Sequence, residues 1–104
     1  MPDLTLNSPE GNPNADISKL RRAIDEIDEK IMGLINRRLA LAQLIGRIKQ
    51  QSGMRFTDRQ REKEIIKRLR HKNPGPLDND GLQQIFAAII AEGRSVQETD
   101  RTPK

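Results

Sequence analysis

One long helical stripe limits what this chain can fold into. Between Asp16 and Ser52, apolar side chains recur at alternating spacings of three and four residues, as on one face of an α-helix; they begin with Ile17, Leu20, Ile24, Ile27, Ile31 and Leu34. The next position in this rhythm is Arg38, and Lys49 follows further along the same face. A permanent cation where an apolar residue is due indicates a site that takes up an anion.

The length of this helix favours a dimer. At 1.5 Å per residue it would extend about 54 Å, whereas a compact domain of this size has a radius of gyration of about 13 Å. No proline interrupts it, and its two glycines, Gly33 and Gly46, cost only about 1 kcal/mol each in a helix. We therefore predict that the helix stays unbroken and buries its stripe against the long helix of a second copy.

Two further helices complete an all-α fold of one long, one short and one medium helix. The second begins either at a Thr57–Gln60 capping box or at Asp58 as N-cap, and ends before the Asn73–Pro76 breaker. Asp78 is the predicted N-cap of the third helix. The predicted domain covers 16–97, with Asp16 as its first N-cap, between disordered tails at 1–15 and 98–104.

Composition excludes several classes of function. There is no cysteine, and the only histidine, His71, lies at the end of the second helix. No metal-ligand spacing, phosphate-binding loop or nucleophile motif is present, so we expect no cofactor. A cysteine-free chain without a secretion signal or an apolar span is expected to be cytoplasmic, with no membrane partner. The net charge of +4 combines 19 basic with 15 acidic residues, a mixture more typical of a solvated face than of a nucleic-acid surface.

Polar groups recur on faces that should be apolar. Arg38 and Lys49 are about 20° apart on a helical wheel, and Gln97 is in phase with the apolar stripe of the third helix. Asp58, Arg61 and Glu62 share the first turn of the second helix. The acidic residues in phase are too few to satisfy both Arg38 and Lys49, so the pattern indicates a small polycarboxylate ligand.

These motifs resemble the all-helical class of chorismate mutases, both free-standing enzymes and domains fused to prephenate-processing enzymes. The resemblance runs from about Ile17 to Gln97 and rests on these segments in this order: Leu20-Arg21-Arg22, Ile24-Asp25, Ile27-Asp28, Arg37-Arg38, Ile45-Gly46-Arg47-Ile48-Lys49, Asp58-Arg59-Gln60-Arg61-Glu62, Phe86, Ile90 and Gln97. It implies an intertwined homodimer that converts chorismate to prephenate in phenylalanine and tyrosine biosynthesis.

The resemblance also implies a role for each site residue. Arg38 and, from the other subunit, Arg21 would bind the substrate carboxylates, while Lys49 and Gln97 would hydrogen-bond the ether oxygen of the breaking C–O bond. Glu62 would bind the ring hydroxyl with Asp58 nearby, and Arg61 would support this end of the site. Where the family often has a small hydroxyl residue, this chain has Gly93.

The rearrangement needs no acid, base or nucleophile, which agrees with the groups that the chain lacks. Two alternatives remain: an isochorismate pyruvate lyase, which does similar pericyclic chemistry, and a basic helical dimer that binds nucleic acid. The intact set of Asp58, Arg61 and Glu62 favours the mutase, and the absence of stacking aromatic residues disfavours nucleic acid. A partner enzyme of the aromatic pathway is a further possibility that the resemblance raises.

Overall fold

The chain folds into helices, as its periodicity predicts. A computed structural model describes residues 12–99, in which α1 spans Pro13–Ser52, α2 spans Arg59–Lys72 and α3 spans Asn79–Thr99. Within these residues there is no strand, and no helix is long and apolar enough to cross a membrane. The prediction of three helices, one long, one short and one medium, is confirmed. Residues 1–11 and 100–104 of the two predicted tails lie outside the described residues.

The N-cap of α1 is Asn12. Its Oδ1 accepts hydrogen bonds from the backbone N–H groups of Asn14 at 3.1 Å and Ala15 at 3.3 Å. Pro13 occupies the first helical position, where its missing N–H leaves no donor unsatisfied. Asp16 instead lies inside the first turn, where a carboxylate is stabilised by the positive end of the helix dipole. The predicted N-cap at Asp16 is therefore wrong, because Asn12-Pro13 starts the helix before it.

The chain divides into two units, and α1 contributes to both. The first unit, Met1–Asn36, contains the N-terminal part of α1, and the second, Arg37–Lys104, contains its C-terminal part with α2 and α3. In the first unit the apolar stripe is largely open to solvent, since Ile24 is 54% exposed and Ile31 is 48% exposed. So much exposed apolar surface on one helical face is typical of an interface.

A Schellman motif ends α1 in the second unit. Gly53 has a φ of 67°, a left-handed conformation that glycine adopts without steric cost. The N–H of Gly53 donates to the carbonyl of Gln50 at 3.4 Å, and that of Met54 donates to the carbonyl of Lys49 at 2.8 Å. These two bonds satisfy carbonyls that the end of a helix otherwise leaves unpaired. They also turn the chain about one helical turn after Lys49.

Helices α2 and α3 form an antiparallel hairpin. Asp58 caps α2 by accepting from the N–H of Arg61 at 3.0 Å, which decides between the two predicted caps. Asp78 caps α3 as predicted, accepting from the N–H of Gly81 at 2.7 Å. The core between the helices contains the buried side chains of Ile65, Leu82 and Ile90, each of which stabilises the fold by about 1.5–3 kcal/mol when fully buried.

Two side-chain contacts show the direction of the hairpin. Arg70 donates a hydrogen bond to Gln83 close to the connection between the helices, and Arg94 pairs with Glu62 at the opposite end. The beginning of α2 therefore lies beside the end of α3. This arrangement brings the polar first turn of α2 to the part of α3 that carries Gly93 and Gln97.

Candidate active site

Arg38 lies against α3 at Gly93. A Cβ atom built on Gly93 would lie 3.3 Å from Nη1 of Arg38 and 3.9 Å from Cβ of Ala42. Both Gly93 and Ala42 are buried, and Arg38 is only partly exposed. The guanidinium thus occupies the space beside a helix position that has no side chain. Arg38 is therefore held between two helices and does not extend freely into solvent.

Gln97 packs against α1 at Gly46. A Cβ atom on Gly46 would lie 2.9 Å from Cα of Gln97 and 3.0 Å from its Cβ, closer than real side chains approach. Gly46 thus permits a close crossing of α1 and α3 at this point. Because Lys49 follows Gly46 by one helical turn, the crossing brings Gln97 next to the turn that carries Lys49.

The amide of Gln97 retains unused hydrogen-bonding capacity. Its Oε1 is buried and has no hydrogen-bond partner within the part of the chain that the structure describes. A buried polar atom without a partner costs about 1–3 kcal/mol, and such atoms are uncommon in native structures. The oxygen is therefore available to a ligand.

Lys49 is held by the connection that follows α1. Its Nζ donates a hydrogen bond to the backbone carbonyl of Phe56 at 3.3 Å in a partly buried setting. An ammonium group has three N–H donors, so two remain for a ligand. The Schellman motif makes this contact possible, because it turns the chain back toward the last turn of α1. The side chain of Lys49 is therefore both oriented and available.

The first turn of α2 carries three predicted site residues, Asp58, Arg61 and Glu62. The carboxylate of Asp58 is engaged in capping α2, and Arg61 next to it is exposed. Glu62 is partly buried and pairs with Arg94 of α3, its Oε2 lying 3.3 Å from Nε of Arg94. Glu62 and Arg94 also line an open groove of about 1290 Å³ that runs along α2 and α3, but Arg38, Lys49 and Gln97 do not line it.

The second unit thus holds six of the seven predicted site residues, linked by contacts between α1, α2, α3 and the connection after α1; they are Arg38, Lys49, Asp58, Arg61, Glu62 and Gln97. Arg21 lies in the first unit, exposed on the N-terminal part of α1.

Two residues of this region, Gly46 and Arg94, were not identified from the sequence as part of the site. Gly46 could have been noticed, because a glycine inside a helix destabilises the helix and so indicates a packing or functional reason for it. Arg94 had no such signal, because an arginine on the flank of an amphipathic helix is ordinary.

Among the side chains described above, four are cationic, Arg38, Lys49, Arg61 and Arg94, and two are carboxylates, Asp58 and Glu62. The residues that the structure describes contain no group of side chains that could hold a metal ion. Such an arrangement can bind an anionic small molecule by charge-assisted hydrogen bonds and stabilise negative charge that develops on it. The fold and these side chains together define an all-helical protein with a cationic set of polar groups suited to an anionic ligand.

Comparison with known proteins identifies the family. The model of "Chorismate mutase type II" matches residues 20–98, so the chain belongs to this family. It is 37% identical over 83 residues to the chorismate mutase of Methanocaldococcus jannaschii, an alignment that covers 78% of this chain and 83% of that protein. The family that the sequence motifs resemble is thereby confirmed.

Two further comparisons agree. The chain is 34% identical over 80 residues to a bifunctional chorismate mutase/prephenate dehydratase of Stutzerimonas stutzeri, an alignment of 72% of this chain and 22% of that protein. The chain therefore corresponds to about a fifth of that longer relative. A solved structure of chorismate mutase (Form II) from Thermus thermophilus superimposes with a TM-score of 0.77 at 30% identity, over 79% of this chain and 93% of that one.

Proposed function

We propose that this protein is a chorismate mutase, which converts chorismate to prephenate on the route to phenylalanine and tyrosine. The observation that carries the proposal is the close crossing of α1 and α3, where a Cβ atom on Gly46 would lie only 2.9 Å from Cα of Gln97. The crossing supports the assignment of Lys49, one helical turn after Gly46, and Gln97 as two hydrogen-bond donors at one end of the site. The family match and the named relatives favour this activity over the lyase and the nucleic-acid alternatives.

The reaction is a 3,3-sigmatropic rearrangement within one molecule. The C–O bond of the enol ether breaks while a C–C bond forms, with no proton transfer and no covalent intermediate. The protein needs only to hold the reactive conformer and to stabilise the charge that builds on the ether oxygen. The donors for that oxygen are the ammonium of Lys49, which keeps two N–H groups beyond its bond to Phe56, and the side-chain amide of Gln97.

Conformer selection falls to the arginines. Arg38, held beside Gly93, is assigned to one substrate carboxylate, which a guanidinium binds through two parallel hydrogen bonds. Glu62 is assigned to the ring hydroxyl, with Asp58 nearby and Arg61 supporting this end. The absence of a hydroxyl side chain at position 93 leaves the guanidinium of Arg38 as the carboxylate-binding group at that point of the site.

The second carboxylate is assigned to Arg21 of another subunit in a homodimer. Support comes from the apolar stripe of α1, whose exposure continues beyond the first unit, with Ile45 48% and Ile48 59% exposed. Covering this face with a second α1 would remove apolar surface from water. The chain contains no cysteine, which fits a reducing compartment such as the cytoplasm.

The test is direct. Purified protein is mixed with chorismate, the loss of chorismate absorbance is followed, and the product is identified by chromatography and mass spectrometry. We expect prephenate as the product. Pyruvate released from isochorismate, with no turnover of chorismate, would instead identify the lyase. Salt-sensitive retention of DNA or RNA without either activity would identify a nucleic-acid-binding dimer.

A further inference from the structure

Arg94 lies at the hydroxyl-binding end of the proposed site. Its Nε is 3.3 Å from Oε2 of Glu62 across the α2–α3 hairpin. Arg94 also follows Gly93 directly and precedes Gln97 by one helical turn, so it shares the end of α3 with both residues. The side chain of Glu62 is 26% exposed and that of Arg94 is 40% exposed. The pair is thus partly buried.

We infer that Arg94 is a positioning residue for Glu62: it fixes the carboxylate so that its other oxygen accepts the hydrogen bond of the substrate's ring hydroxyl. This inference rests on the proposed function, because it gives Glu62 the role of hydroxyl acceptor. It adds a second arginine to this end of the site, from a helix different from that of Arg61.

The geometry of the pair leaves Glu62 able to bind a ligand. Nε of Arg94 lies 3.3 Å from Oε2, and a carboxylate has about four acceptor positions on its two oxygens. One contact of this kind therefore leaves acceptor positions for a hydroxyl donor. On the arginine side, Nε is buried and lacks a well-aligned hydrogen bond within residues 12–99. The contact is thus mainly a charge interaction. It restricts where the carboxylate of Glu62 can lie and leaves the Nε–H of Arg94 without a hydrogen bond.

Charge balance gives Arg94 a second reason to matter. The substrate carries two carboxylates, and a third carboxylate, that of Glu62, must lie close to its ring. Like charges at short range repel, and in a partly buried site the repulsion is screened less than in water. The guanidinium of Arg94 offsets this repulsion at the point where it arises. Glu62 can then act as a charged acceptor, which forms stronger hydrogen bonds with a hydroxyl than a neutral group does.

The test is a double-mutant cycle with kinetics on chorismate. Arg94→Gln removes the charge and keeps a polar side chain, and we expect kcat/KM to fall about 10- to 100-fold, the loss seen when the partner that orients a metal ligand is removed. Arg94→Lys keeps the charge and should recover part of that loss. In a Glu62→Gln background, the step from Arg94 to Gln should change kcat/KM little, because the carboxylate that Arg94 orients is absent.

A matched control uses the other arginine that bridges the same helices. Arg70→Gln removes the contact to Gln83 at the far end of the hairpin and should leave kcat/KM unchanged. The Arg70–Gln83 pair is exposed and the Arg94–Glu62 pair is only partly buried, so both substitutions should shift the free energy of unfolding by only about 1 kcal/mol or less. Thermal unfolding of each variant shows whether a kinetic loss comes from unfolding.

Three results overturn the inference while leaving the proposed function intact: unchanged kcat/KM in Arg94→Gln, an equally large loss in the Glu62→Gln background, or no recovery in Arg94→Lys. A wild-type protein that does not turn over chorismate overturns the inference and the proposed function together. The wild-type assay therefore separates the two kinds of failure before any variant is interpreted.

Discussion

Lys49 and Gln97 reach the proposed site from helices far apart in the chain, and each keeps hydrogen-bonding capacity that the fold does not use. Lys49 gives one donor to the carbonyl of Phe56, and Oε1 of Gln97 has no partner in the described part of the chain. Buried polar groups in a structural core are normally satisfied by their neighbours. A lysine with further N–H donors and an amide whose oxygen is unpaired could both bind a ligand, which makes these residues the first to test.

Replacing Lys49 with alanine tests the donor to the ether oxygen. Loss of one preorganised donor to a developing charge is expected to lower kcat by a factor on the order of 10²–10³. The variant should remain folded, because its hydrogen bond to Phe56 is a single contact at a chain connection. Chorismate turnover and circular dichroism measure the two outcomes.

Lys72→Ala is the matched control for this change. Lys72 is an exposed lysine in the last turn of α2, at the end of the hairpin opposite Glu62. Its replacement should leave turnover near the wild-type value. Wild-type activity in the Lys49 variant would rule out the proposed donor.

Gln97→Glu tests the second donor through pH. A charged carboxylate in place of the amide would repel negative charge on the ether oxygen, whereas a protonated one could donate a hydrogen bond. Activity at neutral pH should therefore fall and recover as the pH is lowered toward the range in which carboxylic acids hold a proton. The measurement is the kcat/KM profile against pH for wild type and variant. Parallel profiles would contradict the role assigned to Gln97.

At the scale of secondary-structure elements, the site depends on how closely α1 approaches α3. Gly46 allows this approach, because a Cβ atom there would meet the backbone of Gln97. Backbone atoms cannot move aside as a flexible side chain can. The caps that end α1 and begin α2 also position site residues. Lys49 lies just before the short connection between these helices, and Asp58 lies at its end.

Gly46→Ala should therefore damage both stability and activity. Forcing the helices apart is expected to cost about 1–3 kcal/mol of unfolding free energy, and displacement of Gln97 should lower kcat. Gly33→Ala is the matched control, because nothing lies within 4 Å of a Cβ at that helix position. It should stabilise the protein by up to about 1 kcal/mol through helix propensity. Chemical denaturation and turnover report both effects, and equal behaviour of the two variants would contradict the close crossing.

At the scale of the whole molecule, the long helix carries an apolar face that one copy of the chain leaves in water. Ile17, Ile24, Ile27 and Ile31 are all between 44% and 54% exposed. A homodimer would cover this face and would let Arg21 of one subunit complete the site of the other. The proposal therefore links dimer assembly to catalytic activity, because each active site would need residues from both subunits.

Subunit mixing tests this link. Arg21→Ala and Arg38→Ala homodimers should each be nearly inactive, since each lacks one arginine in every site. After subunit exchange, a mixed dimer should have about one intact site, because the two defects fall together in the other site. Turnover is measured before and after exchange, and native mass spectrometry confirms that mixed dimers form. Exchange without recovery of activity would argue against shared sites.

Much of the fold could be predicted because its signals are local. The stripe of α1, the cap at Asp78 and the end of α2 before Asn73 each follow from residues within a turn or two of one another. The error at Asp16 has the same origin: two local signals competed, and Asn12 with Pro13 outweighed a single aspartate. Arg94 shows the limit, because nothing in its own neighbourhood distinguishes it from an arginine in solvent.

The sequence by itself determined the helices, the face of each that is apolar, and the family, because periodicity, caps and motif spacing are properties of neighbouring residues. Only the tertiary structure decided that Gly46 meets Gln97, that Arg38 lies against Gly93 and that Glu62 pairs with Arg94. These contacts join residues distant in the chain. They depend on which helical faces cross and how closely, and that is set by packing across the whole second unit.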